Sequence, residues 1–202
     1  MNLLLSVFIL VMHPGISTEL AGAWSESVSD SRGYSLRGRL VLVDKAGRNG
    51  HPETVMFVEL QDTCTFIGNG MSIYCDMGKT DFRPEYQGGL NCELLDKSNQ
   101  QVKKASFPFG GAVPASEWVK LPVDASIRVR ATPFGLRRDN ARVICPNLGA
   151  MWVVENSDKD EYLLKATFTV LPRDEKNASE SLHAWSGKLV LPPIRIMPVG
   201  QK

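Results

Sequence analysis

The chain has 202 residues, 43% of them hydrophobic and 22% charged, and its 23 Lys and Arg against 22 Asp and Glu leave a formal charge of +1. That length suits one domain with a core of its own. Nothing in that even balance suggests a nucleic-acid-binding domain, which would normally be clearly basic, so no nucleic-acid partner is expected.

At the amino terminus, residues 3–12 (LLLSVFILVM) form an unbroken apolar run of signal-peptide length, too short to cross a bilayer as a helix. The small-x-small triplet Ala21-Gly22-Ala23 sets the expected boundary, making 1–23 a signal peptide. Gly15-Ile16-Ser17 offers an alternative cut, and a buried amino-terminal strand is the competing reading of the run itself. Export places the protein in a secreted or periplasmic setting. No later apolar run approaches membrane length, so no membrane contact is expected once the leader is gone.

Residues 24–35 (WSESVSDSRGYS) are polar and Ser-rich and read as a flexible lead-in. Residues 36–198 then read as a single domain. Runs with strand character, among them LRGRLVLV (36–43), ETVMFVEL (53–60), GLNCELL (89–95), ASIRVRA (125–131) and WSGKLVLPPIRI (185–196), alternate with turn clusters. The alternation is clearest over 162–170, where Tyr162, Leu164, Ala166, Phe168 and Val170 share the inward face. About ten short strands without any sustained helical period predict an all-β, antiparallel β-sandwich, immunoglobulin-like or transthyretin-like.

The stretch 63–75 (TCTFIGNGMSIYC) carries Asn69-Gly70 between strand-forming runs, a strong hairpin signal. With those two residues at the turn, Cys64 falls opposite Cys75, at a Cα separation of about 5.5 Å that a disulfide accepts. Cys92 alternates with Leu90 and Leu94, and Cys145 with Val143, so both face inward. The preferred connectivity is Cys64 with Cys75 and Cys92 with Cys145. The two other pairings and four reduced thiols remain open. There is no C-x-x-C, and no metal or cofactor is expected.

Residues 38–60 (GRLVLVDKAGRNGHPETVMFVEL) resemble the opening of transthyretin-like and carboxypeptidase-regulatory-like sandwiches. The order Cys92, Trp118, Cys145 is similar to the immunoglobulin Cys, Trp, Cys hallmark, although Val143 stands where the tyrosine corner needs Tyr. The last third, SIRVRATPFGL (126–136) through EYLLKATFTVLP (161–172) to HAWSGKLVLPPIRI (183–196), resembles uncharacterised secreted proteins of planctomycete bacteria. That resemblance implies export and names no activity.

Catalytic chemistry finds little purchase. Only His51 and His183 follow the leader, and no nucleophile elbow, zinc-protease or phosphate-loop motif occurs. Asp62, Asp76, Asp81, Glu85 and Glu93 supply carboxylates for a glycosidase-type pair, but they are too many to single out one pair, and the polar loop 76–85 that holds three of them reads first as solvated. Residues 155–161 (ENSDKDE) begin like a calcium loop and then lack its Gly and final Glu.

The most pointed feature is basic. From Lys120 to Arg142 there are six basic residues against Asp124 and Asp139. Arg128 and Arg130 alternate with Ile127 and Val129, so two guanidiniums leave one face of a strand, with Arg137 and Arg138 following. Phe109 and Trp118 flank that strand and extend the candidate site to a sugar-stacking platform. The function this predicts is a non-enzymatic interaction or structural module with a protein or cell-surface partner. A glycan- or anion-binding module is the alternative, and a carboxylate-based hydrolase the second alternative.

Overall fold

A computed structural model describes residues 18–46, 52–65, 70–75, 89–106, 117–131, 136–139, 141–147, 150–155, 161–172 and 183–196. These form fourteen strands: β1 (Glu19–Ala21), β2 (Val28–Ser29), β3 (Ser35–Ala46), β4 (Pro52–Asp62), β5 (Met71–Cys75), β6 (Gly89–Leu95), β7 (Lys104–Ser106), β8 (Glu117–Leu121), β9 (Ser126–Arg130), β10 (Leu136–Asp139), β11 (Ala141–Asn147), β12 (Ala150–Glu155), β13 (Tyr162–Val170) and β14 (Gly187–Ile196). Every ladder is antiparallel, the sheets are not closed into a barrel, and the expected all-β sandwich is what the chain builds. Among the described residues no helix is long and apolar enough to cross a membrane.

The β3–β4 hairpin is the spine. Its register runs without a break from Leu36↔Asp62 to Ala46↔Pro52, and period-two alternation sends Leu36, Leu40, Leu42, Met56, Val58 and Leu60 into the core. Along the outer edge of β4, β9 pairs Phe57 to Gln61 and β10 takes up the same edge at Thr54, after which β11, β12 and β7 continue the large sheet. The second layer is the sheet β14-β13-β6. Its inward residues include Tyr162, Leu164, Ala166, Phe168 and Val170, as the alternation predicts, together with Leu189 and Leu191. Each large side chain buried this way is worth about 1.5–3 kcal/mol. At Gly38 the layers approach closely: a Cβ there would lie 2.8 Å from Leu189 Cδ2 and 3.0 Å from Leu191 Cδ2.

Residues 24–35 are no flexible lead-in. Residues 18–29 follow the free edge of β3, with Asp44 N donating to Thr18 O (2.9 Å), Gly22 N to Leu40 O (2.9 Å) and Ser25 N to Gly38 O (2.8 Å), and with β2 paired to Leu36 and Ser35. The Trp185 indole donates to Val28 O at 3.1 Å, and the Asp30 carboxylate accepts from the Arg32 and Tyr34 amides to shape the turn into β3. The edge of a long hydrophobic strand needs cover. The polar segment supplies it through its backbone, which composition does not report.

Among the described residues of 63–75 the strand pairing is not that of the expected hairpin, and Cys64 is not opposite Cys75. β5 pairs with β8, so that Cys75 faces Glu117 and Met71 faces Leu121, and a parallel bridge from Ser72 to Ala184 ties this ribbon to the start of β14. Gly70 has the positive φ of 78° that its neighbourhood demands, but for another reason: a Cβ there would sit 2.4 Å from Leu121 O. Cys64 instead follows Ser35, whose amide donates to Sγ at 3.0 Å. Cys64, Cys75 and Cys92 are thiols in this structure. Cys92 is fully buried on β6, inward as expected. Cys145 lies on β11, and nothing is described of its side chain.

Candidate ligand-binding face

The outer face of β3, β4 and β9 gathers the charged residues. β9 alternates as the sequence predicts, with Ile127 and Val129 half-buried and Ser126, Arg128 and Arg130 exposed. Register sets three of the charges in one row: Arg39 on β3 faces Glu59 on β4, which faces Arg128 on β9. Glu59 is 7% exposed, and its Oε2 lies 2.8 Å from Arg39 Nε and 3.6 Å from Arg128 Nη2. A carboxylate so nearly buried needs this flanking.

Arg128 also reaches the far edge of the sheet. It makes paired hydrogen bonds of 2.7 and 2.8 Å to Glu19 on β1, beyond β3 and β4. The fork geometry is the strong form of carboxylate recognition. It holds the Glu19 carboxyl below its ordinary range, against the smaller opposing effect of desolvation, and raises Arg128 further.

In the neighbouring row Arg37 Nε donates to Gln61 Oε1 at 2.7 Å. Arg37 and Arg39 both stack on Trp24, with guanidinium carbons 5.0 and 4.5 Å from the ring centroid. On the other side Arg130 faces Phe57 and is exposed, with no carboxylate partner among the described residues. Four arginines against Glu19 and Glu59 leave an excess of two positive charges on this face.

Of the sequence-predicted residues, Arg128 and Arg130 therefore stand together, but Arg128 is already committed to Glu19. Arg137 and Arg138 lie on β10, paired with Val143 and Arg142, and their side chains are not described. Trp118 lies on β8. It packs edge-on against Tyr74 at 5.2 Å in the β5–β8 ribbon, and β8 pairs with none of the strands that carry the arginines. Phe109 and His51 lie outside the described residues, as do Asp76, Asp81, Glu85 and residues 156–160. Glu93 is exposed on β6, and Asp62 is buried beside Cys64. Among the described residues no group of three or more His, Cys, Asp or Glu could hold a metal ion.

Sequence reasoning missed Glu19, Trp24, Arg37, Arg39 and Glu59. Arg37 and Arg39 alternate with Leu36, Gly38 and Leu40 in the same pattern that picked out Arg128 and Arg130, so that signal was present. Glu19 and Trp24 come to the face only because 18–29 pairs with β3.

Fold and face together define an all-β antiparallel sandwich with an arginine-rich outer sheet. No family model matches the chain, and no curated protein or solved structure does either.

Proposed function

We propose that the protein is a non-enzymatic interaction module of the secreted or periplasmic space, and that the outer face of β3, β4 and β9 docks the anionic surface of a partner. The observation that carries this is Arg130: an exposed guanidinium beside Phe57, next to a row of charges already satisfied among themselves. Arg37, Arg39 and Arg128 are held in place by Gln61, Trp24, Glu59 and Glu19, so the positive field is fixed in position before a partner arrives. Preorganised arginines lose less freedom on meeting carboxylates, sulfates or phosphates. Export is supported by the apolar run at 3–12, and with it goes oxidation of Cys92 with Cys145, carried by β6 and β11, which approach each other in the fold. Thiol alkylation of the native protein before and after reduction tests that part.

The docking reading is tested by binding to heparin, used as a generic sulfated polyanion, at about 50 mM and about 500 mM salt. Binding should weaken steeply with salt and be largely lost in Arg130→Glu, a variant that leaves the Glu19, Arg128, Glu59 and Arg39 network intact. Absent binding, or binding indifferent to salt and to Arg130→Glu, overturns the reading.

A further inference from the structure

We propose that the leader is removed between Ser17 and Thr18, not after Ala23, so that β1 is the first strand of the mature protein. The inference rests on the export reading above. Its structural ground is that residues 18–23 form part of the fold that a cut after Ala23 would take away. Glu19, Leu20 and Ala21 pair with Val43, Leu42 and Val41, Gly22 N donates to Leu40 O, and Thr18 O accepts from Asp44 N. Without these residues the edge of β3 from Leu40 to Asp44 would be left as an unpaired edge of a long hydrophobic strand, which proteins avoid. Arg128 would lose Glu19 as well, and Gly22 its close packing on Ile194, whose side-chain carbon lies 3.2 Å from where a Cβ would stand.

The leader's own spacing agrees. Gly15 and Ser17 are small residues one apart, as the cleavage rule requires. The approach from the end of the apolar run is five residues to Ser17 (13–17) and eleven to Ala23 (13–23). Hydrolysis of the Ser17–Thr18 peptide bond consumes one water and leaves a carboxylate on Ser17 and an ammonium on Thr18. That new ammonium is created beside a carboxylate, because Thr18 Oγ1 already donates to Asp44 Oδ2 at 3.1 Å. Cleavage after Ala23 would instead start the chain at Trp24, which is stacked against Arg37 and Arg39.

The test is amino-terminal sequencing and intact mass of the protein isolated from its native host. A chain beginning at Thr18 is expected. Ser17→Leu should then block or displace processing, and Ala23→Leu should leave it unchanged. A chain beginning at Trp24, or at any residue other than Thr18, overturns the inference while leaving export standing. An unprocessed chain beginning at Met1 overturns export and this inference with it. As an independent readout, protein starting at Thr18 should unfold at a higher denaturant midpoint than protein starting at Trp24. Equal midpoints would overturn the role given to β1.

Discussion

Arg128 on β9 holds Glu19 on β1 through two hydrogen bonds of 2.7 and 2.8 Å, although β3 and β4 lie between their strands. The pair straps the amino-terminal edge onto the centre of the large sheet. Because the folded state keeps the Glu19 carboxyl below its ordinary value of 4.5, its stabilising contribution is complete above that value and is lost as pH falls through the folded pKa. Glu19→Gln should therefore lower the denaturant midpoint slightly near neutrality, and the two proteins should converge in acid. Both groups are exposed, so added salt should shrink the gap too. A gap that persists at low pH and high salt would show that Glu19 acts through packing.

How far the sequence discloses this fold depends on where pairing is decided. β13 was legible because its alternation is undisturbed and both of its neighbours are strands of the same kind: Tyr162, Leu164, Ala166, Phe168 and Val170 read inward and are inward. β9 was legible for the same reason, and with it Arg128 and Arg130. The ribbon β5–β8 was not. Asn69-Gly70 states that a turn is cheap there, but Met71 to Cys75 finds its partner in Glu117 to Leu121, far along the chain. Local turn chemistry cannot register a competing long-range edge. The segment 18–29 failed in the opposite sense: its composition is that of a linker, yet it pairs through backbone groups that every residue carries.

Gly38 tests the packing of the layers. A Cβ would approach Leu189 Cδ2 to 2.8 Å, Leu191 Cδ2 to 3.0 Å and Leu60 Cδ2 to 3.1 Å. These are the ends of side chains, so Gly38→Ala can be met by small shifts, and its cost should sit near about 1 kcal/mol, the low end for overpacking. Gly38→Val, with more bulk, should cost about 3 kcal/mol. Leu189→Val combined with Gly38→Ala should recover part of the loss, because the two changes compete for one space. Chemical denaturation of these variants and of Leu189→Val alone reads this directly, and strictly additive losses would count against the contact.

Cys64 should be a slow thiol. Burial first, then its contact with the Asp62 carboxylate, pushes its pKa up to about 11, against the opposing hydrogen bond from the Ser35 amide. At neutral pH it is protonated, and the thiol rather than the nucleophilic thiolate predominates. The Cys64 alkylation rate, followed by peptide mass, should keep rising past pH 9 with an inflection near 11. Because the folded pKa is raised, the thiol's contribution to stability is present below the unfolded value of 9.0 and is lost as pH climbs through the folded one. Asp62→Asn should bring the inflection down, because it removes a charge that disfavours the thiolate. An inflection at the same pH in both proteins would show that Asp62 has no part in it.

Glu59 is the residue on which the basic face depends. It is nearly buried between Arg39 and Arg128, and only Arg39 approaches it closely, at 2.8 Å against 3.6 Å. Arg39→Met keeps the aliphatic stem over Trp24 but leaves the carboxylate with one distant cation, which should cost roughly 1–3 kcal/mol. Removing the charge on both sides is a different matter. The double variant Arg39→Met with Glu59→Gln buries no uncompensated ion, so it should be more stable than Arg39→Met alone, in keeping with the asymmetry between breaking an ion pair and replacing it. A double-mutant cycle on unfolding free energies measures the coupling. If the double variant is instead less stable than either single change, Glu59 is held by its packing and by the Ser126 hydroxyl, which donates to its Oε1 at 3.5 Å, rather than by charge, and the preorganisation of Arg39 and Arg128 must be ascribed to Trp24 and Glu19 alone.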